Sequence, residues 1–393
     1  MRKILLLVAC TNVVVCTNIV QADSAPETTP ALKTEVAPLP VNLARRVGFL
    51  ATNWYQQQAE RWQDRVDTTP DDAEAWRSLF LASEYGRNVS ETELDELLSA
   101  MAAKVPGSWQ LPYLRARHVG LTDLDQHVRY LEEASDRCRS SCADIQESLG
   151  LVHELRGDVA AATAAWKSFY ESHTLAAGLL DYNYNMLQTV GASGVLITNG
   201  DNDTMPAWLL QRVHDVRTDV TLINLTVAMA HRPWLSRRLT ELAPTMDATS
   251  LPPQHADFLQ ALTTGLAAAG HPVSIALTVP ASHRQAIEQD LKLVGLAARY
   301  DPQDTVDASA VLHKNFSRRY RLDRLQLGWY DEFHLSWRPI VRRLNTNYGF
   351  GLLALAATDP EQGRWARLAQ HLARVSDDRH FAELVAARLE ELH

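Results

Sequence analysis

The chain has 393 residues, of which 46% are apolar and 22% charged, so it can bury a core and is long enough for two or three packed units. Its formal charge is −9, and becomes two units more negative without residues 1–22, which hold Arg2 and Lys3 and no acid. That acidity repels phosphate backbones and anionic surfaces, and no basic stripe with interleaved aromatics offsets it, so nucleic acid is excluded as a main partner.

Residues 1–22 read as a signal peptide. A basic start is followed by an apolar run from Ile4 to Val20 and by Val20-Gln-Ala22 before Asp23, the small-residue pattern of signal peptidase sites. The run is interrupted by Thr11, Asn12, Thr17 and Asn18, and no later segment is long and apolar enough to span a bilayer. The expectation is an exported, periplasmic protein with no transmembrane span after cleavage. Leu7-Val-Ala-Cys10 resembles a lipoprotein box, but only Ile4–Ala9 would precede it as an apolar region, so plain cleavage is favoured over lipid anchoring. Residues 23–42, with Pro38 and Pro40 and little that could pack, read as a disordered leader.

From Leu43 apolar residues recur at helical steps, as at Trp76, Leu79, Phe80 and Ala82 behind Asp71-Asp72. Ser78-Leu79 returns as Ser148-Leu149 seventy positions on, with Tyr113-Leu114 midway, and Gly157-Asp158 separates Ile145–Leu155 from Val159–Tyr170. A period near 34 with helix–turn–helix units predicts tetratricopeptide-like repeats over residues 43–180; a generic helical bundle is the alternative. Signal removal would take Cys10 and Cys16 and leave Cys138 and Cys142. In an oxidising compartment these can close a small disulfide loop between two helices, which we expect over two thiols one helical turn apart. A lone C-x-x-x-C without further ligands is not a zinc site.

Residues 181–302 are predicted to be an α/β domain. Gly194–Thr198 reads as a buried strand, Thr204–Val216 as a helix with Trp208, Leu209, Val213 and Val216 inward, and Asp219–Leu225 as a second strand. Such a β-α-β unit has parallel strands, so a small parallel, Rossmann-like sheet is expected. Helices Pro233–Leu242 and His255–Ala269 and strands Val273–Val279 and Ala297–Tyr300 follow. Residues 303–393 return to helix, including Asn347–Ala357, Gln362–Val375 and Arg379–Leu392, as a closing repeat-like region. The fold class is therefore mostly α, with helical repeats flanking the α/β unit.

Ligands of open α/β sheets bind beyond the carboxyl ends of strands, the position of Asn199-Gly-Asp-Asn-Asp-Thr204. Asp201 and Asp203 offer a pair of carboxylates for a divalent cation or a polyol, and Asn199, Asn202, Thr204 and Trp208 complete a candidate ligand site. The competing expectation is structural: Asp203 or Thr204 caps the helix while Asp201 ties the turn. Elsewhere there is no His-Glu-x-x-His and no Gly-x-Ser-x-Gly. Gly349-x-Gly351-x-x-Ala354 imitates a dinucleotide fingerprint without a preceding strand, and Trp76, Trp166 and Trp365 at helical spacing read as core anchors.

The pattern Asn199-Gly-Asp-Asn-Asp-Thr-x-Pro-x-Trp208, with Arg217-x-Asp219-Val220 and Asn224-Leu225, resembles the soluble extracytoplasmic region of bacterial protein O-mannosyltransferase-like membrane proteins. The likeness continues through Leu291–Ala297 and Tyr300-Asp-Pro302 and covers roughly residues 181–360. The membrane-embedded part that would transfer a sugar is missing and Met205 replaces an expected aromatic, so the resemblance implies an accessory module in contact with glycan or acceptor protein, and no catalytic residue. The functional expectation is a cell-envelope scaffold that binds a protein partner through its repeats. The alternative is an envelope enzyme acting on sugars or phosphate esters with a divalent metal at Asp201 and Asp203.

Overall fold

The computed structural model describes residues 37–46, 50–87, 89–139, 142–327, 332–359 and 361–392. The expected signal peptide, the lipoprotein-like box and residues 23–36 of the leader lie outside them. Helices dominate, and among the described residues none is long and apolar enough to cross a membrane.

The first seven helices are α1 (Thr52–Thr68), α2 (Ala73–Gly86), α3 (Glu91–Lys104), α4 (Gln110–Val119), α5 (Leu124–Arg137), α6 (Ala143–Arg156) and α7 (Val159–Glu171). Their starts are written in the sequence: Asp72, Ser90, Asp123 and Asp158 each accept a hydrogen bond from a first-turn amide, and Ser90 with Glu93 makes a reciprocal capping box. Gly157 ends α6 at φ 78°, a left-handed conformation that lets α7 fold back at once. Neighbours pack as pairs, α1 on α2, α4 on α5 and α6 on α7. A Cβ added to Gly150 of α6 would lie 2.6 Å from the buried Trp166 ring of α7. Gly150→Ala should therefore overpack this pair and cost about 1–3 kcal/mol in urea unfolding.

The end of the leader is not free, contrary to the expectation for residues 23–42. Trp62 Nε1 donates to the Leu39 carbonyl at 3.0 Å, the Leu39 amide donates to Gln58 at 2.8 Å, and Val41 is wholly buried. Leu39, between Pro38 and Pro40, and Val41 just after them form a strip that fits against α1.

After α8 (Ala177–Thr189) come β1 (Val195–Thr198), α9 (Met205–His214), β2 (Thr221–Asn224), α10 (Leu225–Ala230), α11 (Arg232–Leu242), α12 (His255–Ala268), β3 (Val273–Ala276), α13 (Ala281–Arg284), β4 (Leu291–Leu293) and β5 (Ala297–Tyr300). The sheet order is β2-β1-β3-β5-β4. The expected β-α-β unit is present: β1 runs parallel to β2 and to β3, with Ile197 level with Ile223 and with Ile275. The sheet as a whole is mixed, however. β5 is antiparallel to both β3 and β4, and β4 is a strand the sequence pattern missed because it is only three residues long. A turn at Gly295, with φ 148°, joins β4 to β5. The second strand is also shorter than expected. Asp219 is drawn away to Arg217 and the Ser193 amide, while Asn224 already caps α10 through the Val227 amide.

The chain closes with α14 (Ala308–Lys314), α15 (Asp323–Leu327), α16 (Arg338–Thr358), α17 (Gln362–Val375) and α18 (Arg379–Glu390). Two apolar cores result. One runs from Val41 to Ala165 inside α1–α7, and the other joins α7–α9, the sheet and the last helices, from Trp166 and Ile197 to Trp365 and Phe381. α6 and α7 feed both, with Leu155, Trp166 and Phe169 facing the sheet side and Ile145, Leu149 and Val152 facing the helices.

Candidate functional site

β1 lies between β2 and β3, and the chain leaves its carboxyl end in the direction of β2 while β3 closes the other side. The loop Asn199–Thr204 therefore sits where the strand order reverses, beside the ends of all three parallel strands. Each strand end contributes a polar side chain. Thr198 Oγ1 is 2.6 Å from Thr204 Oγ1, Asn224 Nδ2 donates to Thr204 Oγ1 at 2.9 Å and to the Gly200 carbonyl at 3.1 Å, and Thr278, just past β3, donates to Asp203.

Asp203 is the centre of this network. It is 3% exposed and accepts from the amides of Asn199 and Gly200 at 2.8 Å each, besides the Thr278 hydroxyl. Burial pushes its carboxyl above the ordinary aspartate range, against the pull of Thr278 and the two amides. The turn is thus tied by Asp203 and not, as expected for a structural loop, by Asp201. Thr204 stands at the N-cap of α9 without a side-chain capping bond, because its hydroxyl is engaged by Thr198 and Asn224.

Asp201 points elsewhere. Its carboxylate meets the Arg46 guanidinium, Nη1 to Oδ2 2.9 Å, while remaining about half exposed. Arg46 is itself buried; its Nη2 contacts both oxygens of buried Glu147 on α6 at 2.8 and 2.9 Å, and its Nε donates to the Leu43 carbonyl at 2.9 Å. Burial opposes the charge on Arg46, but Glu147 and Asp201 together outweigh it and hold the guanidinium protonated. Met205, the residue that replaces an expected aromatic, places its sulfur 4.0 Å from Arg46 Nη1. Two turns further along α6, buried Glu154 takes Arg212 of α9, Nε to Oε1 2.7 Å and Nη2 to Oε2 2.8 Å. Two glutamates seven positions apart on one face of α6 thus tie the helical array to the α/β unit.

The remaining candidates fall into place around this joint. Asn202 is buried, its carbonyl accepting from Asn183 Nδ2 at 2.9 Å; Asn199 is half-buried and its carbonyl accepts from Thr226 at 2.8 Å. Trp208 is 2% exposed and meets Trp234 edge to face at 6.4 Å, so it belongs to the core beneath the loop and not to a solvent-facing site. The two carboxylates have separate partners, and among the described residues no group of three or more His, Cys, Asp or Glu side chains converges as a metal site. Arg46, Glu147 and Thr278 were not anticipated, and Asn224 entered only as part of the resembling pattern, with no role at the loop. The signal available in the sequence was the pair Glu147 and Glu154, seven positions apart and so on one side of a predicted helix.

Residues 179–262 match the family model of TMEM260-associated domain 2. The match starts in α8, takes in β1, the loop, α9, β2, α10 and α11, and ends inside α12. It is consistent with the O-mannosyltransferase-related resemblance, over a narrower span that stops before β3. The matched stretch is about a fifth of the chain and contains the whole Asn199–Thr204 loop. No curated protein matches the chain.

Proposed function

We propose that the protein is a cell-envelope interaction scaffold, in which a tetratricopeptide-like array carries the partner-binding surface and the domain-2 unit is its rigid base. The observation that carries this reading is the joint at Arg46. A ligand loop at a strand end needs side chains left over for the ligand; here Asp203 binds its own turn and Asp201 binds Arg46, so the loop's polar groups serve to fix the array. The repeat reading is supported by Leu149-Gly150 on α6 followed by Ala162 and Trp166 on α7, the small and large positions at which paired tetratricopeptide helices approach, with Gly150 directly against the Trp166 ring. The export reading rests on the signal-like residues 1–22.

Photo-crosslinking side chains at exposed positions of the intact chain test the proposal. Arg61, Glu96 and Arg129 sample the array, and Arg343 and Gln370 sample the far side. Crosslinking in intact cells should trap one discrete partner from array positions, at yields several-fold above those from Arg343 and Gln370. Adducts confined to the far side, or divalent-cation binding in the micromolar range that Asp201→Asn abolishes, would point instead to the enzyme reading.

A further inference from the structure

Cys138 follows α5 and Cys142 stands at the N-cap of α6; their sulfurs are bonded to one another, with the Cα atoms 6.4 Å apart. The ring spans four steps of chain, so it removes little entropy from the unfolded state. α5 and α6 also pack on each other without it. Stapling is a poor account of this cross-link.

Two observations fit a different role. The sulfurs differ in access: Cys142 is buried, whereas Cys138 is half-buried, and both line a hollow of about 330 Å³ shared with Ser135, Gln146, Ser168, Glu171 and Ser172. Their electrostatic settings differ too. Cys142 heads a helix of 14 residues and makes no side-chain cap bond to it, so a thiolate released there lies at the positive end of the helix. Asp144, the acid of that first turn, is paired with Arg77 and so opposes the thiolate less.

We propose that Cys138–Cys142 is a redox-active disulfide that exchanges with a small thiol entering this hollow. The incoming thiolate attacks Cys138 Sγ; the S–S bond breaks and its electron pair leaves on Cys142 Sγ, at the positive end of α6. A second thiolate attacks the sulfur of the first, releasing Cys138, which takes a proton from water. Two small thiols are oxidised to one disulfide, and the protein disulfide gains the two electrons. The serine hydroxyls and the Gln146 amide suit the polar groups of a peptide-sized thiol.

The folded intact chain is equilibrated in glutathione buffers, quenched by alkylation and mapped by peptide mass spectrometry, which separates Cys138 and Cys142 from Cys10 and Cys16. Millimolar reduced glutathione should open most of the ring within minutes at unchanged helix content. Cys142→Ser should accumulate the glutathione adduct on Cys138. In Cys138→Ser, the alkylation of Cys142 should reach half its maximum rate at least one pH unit below an ordinary thiol at about 8.5. A ring that stays closed for hours, one that opens only as the helices melt, or a Cys142 with an ordinary alkylation profile each overturns the proposal.

Discussion

Arg46→Ala should lower the unfolding free energy by about 3–5 kcal/mol, because it leaves Glu147 as a buried charge with no partner. Asp201 loses the same partner but is half exposed, so water replaces the guanidinium there at small cost. Replacing the pair with apolar residues, Arg46→Met with Glu147→Leu, removes both buried charges and should recover most of the loss. The deficit of Arg46→Ala should also depend on pH. Burial already pushes the Glu147 carboxyl above its ordinary value while Arg46 pulls it down, and without Arg46 it rises further. A carboxyl raised in the folded state penalises folding when ionised, and the penalty fades as pH falls through the raised value. The deficit is therefore largest near neutrality and shrinks towards pH 4. Urea unfolding of the two variants at both pH values checks this; a loss below about 1 kcal/mol at pH 7 would remove Arg46 as the joint.

The parts of the fold that were legible in the sequence are those set by neighbouring residues. Helix α17 is bounded as its periodicity predicts, at Gln362–Val375, and β1, α9 and β2 follow the order read from alternating apolar runs and glycines. What was not legible depends on contacts far apart in the chain. β4 is Leu-Lys-Leu, too short to show alternation, and exists because β5 offers it an edge. The burial of Val41 depends on α1 presenting Gln58 and Trp62 to a proline-containing strip.

The loop shows the same division. Its position at a strand end followed from local pattern. The partners of its acids could not, since Arg46 is 155 positions from Asp201 and Thr278 is 75 from Asp203. Composition alone made Asp201 and Asp203 look like a pair. The backbone separates them, one turned into the sheet edge and the other out towards the array. The recognisable domain-2 pattern within residues 179–262 thus contains one half of the joint, while Arg46 and Glu147, which complete it, lie outside the match.

Asp203→Ala should cost about 3–4 kcal/mol, for a reason separate from any ion pair. The substitution strips the acceptor from two amides and from the Thr278 hydroxyl at once, and each buried donor left without a partner costs about 1–3 kcal/mol. Asn199 and Gly200 are only half-buried, so water recovers part of the loss and the sum falls at the lower end. Asp203→Asn keeps one oxygen but turns an NH2 group towards donors, and should lose about half as much. Asp201→Asn should lose no more than about 1 kcal/mol, since its carboxylate is partly in water. Chemical unfolding gives the three values, and amide exchange at Asn199 and Gly200 should accelerate in Asp203→Ala while that of Ile197 is changed only through global stability. The ordering separates the two accounts of the loop. A tie within the fold makes Asp203 much the costlier acid to remove. A pair of carboxylates placed for a ligand strains the apo protein by mutual repulsion, so neutralising either would leave stability unchanged or raise it and lower only the affinity for the ligand.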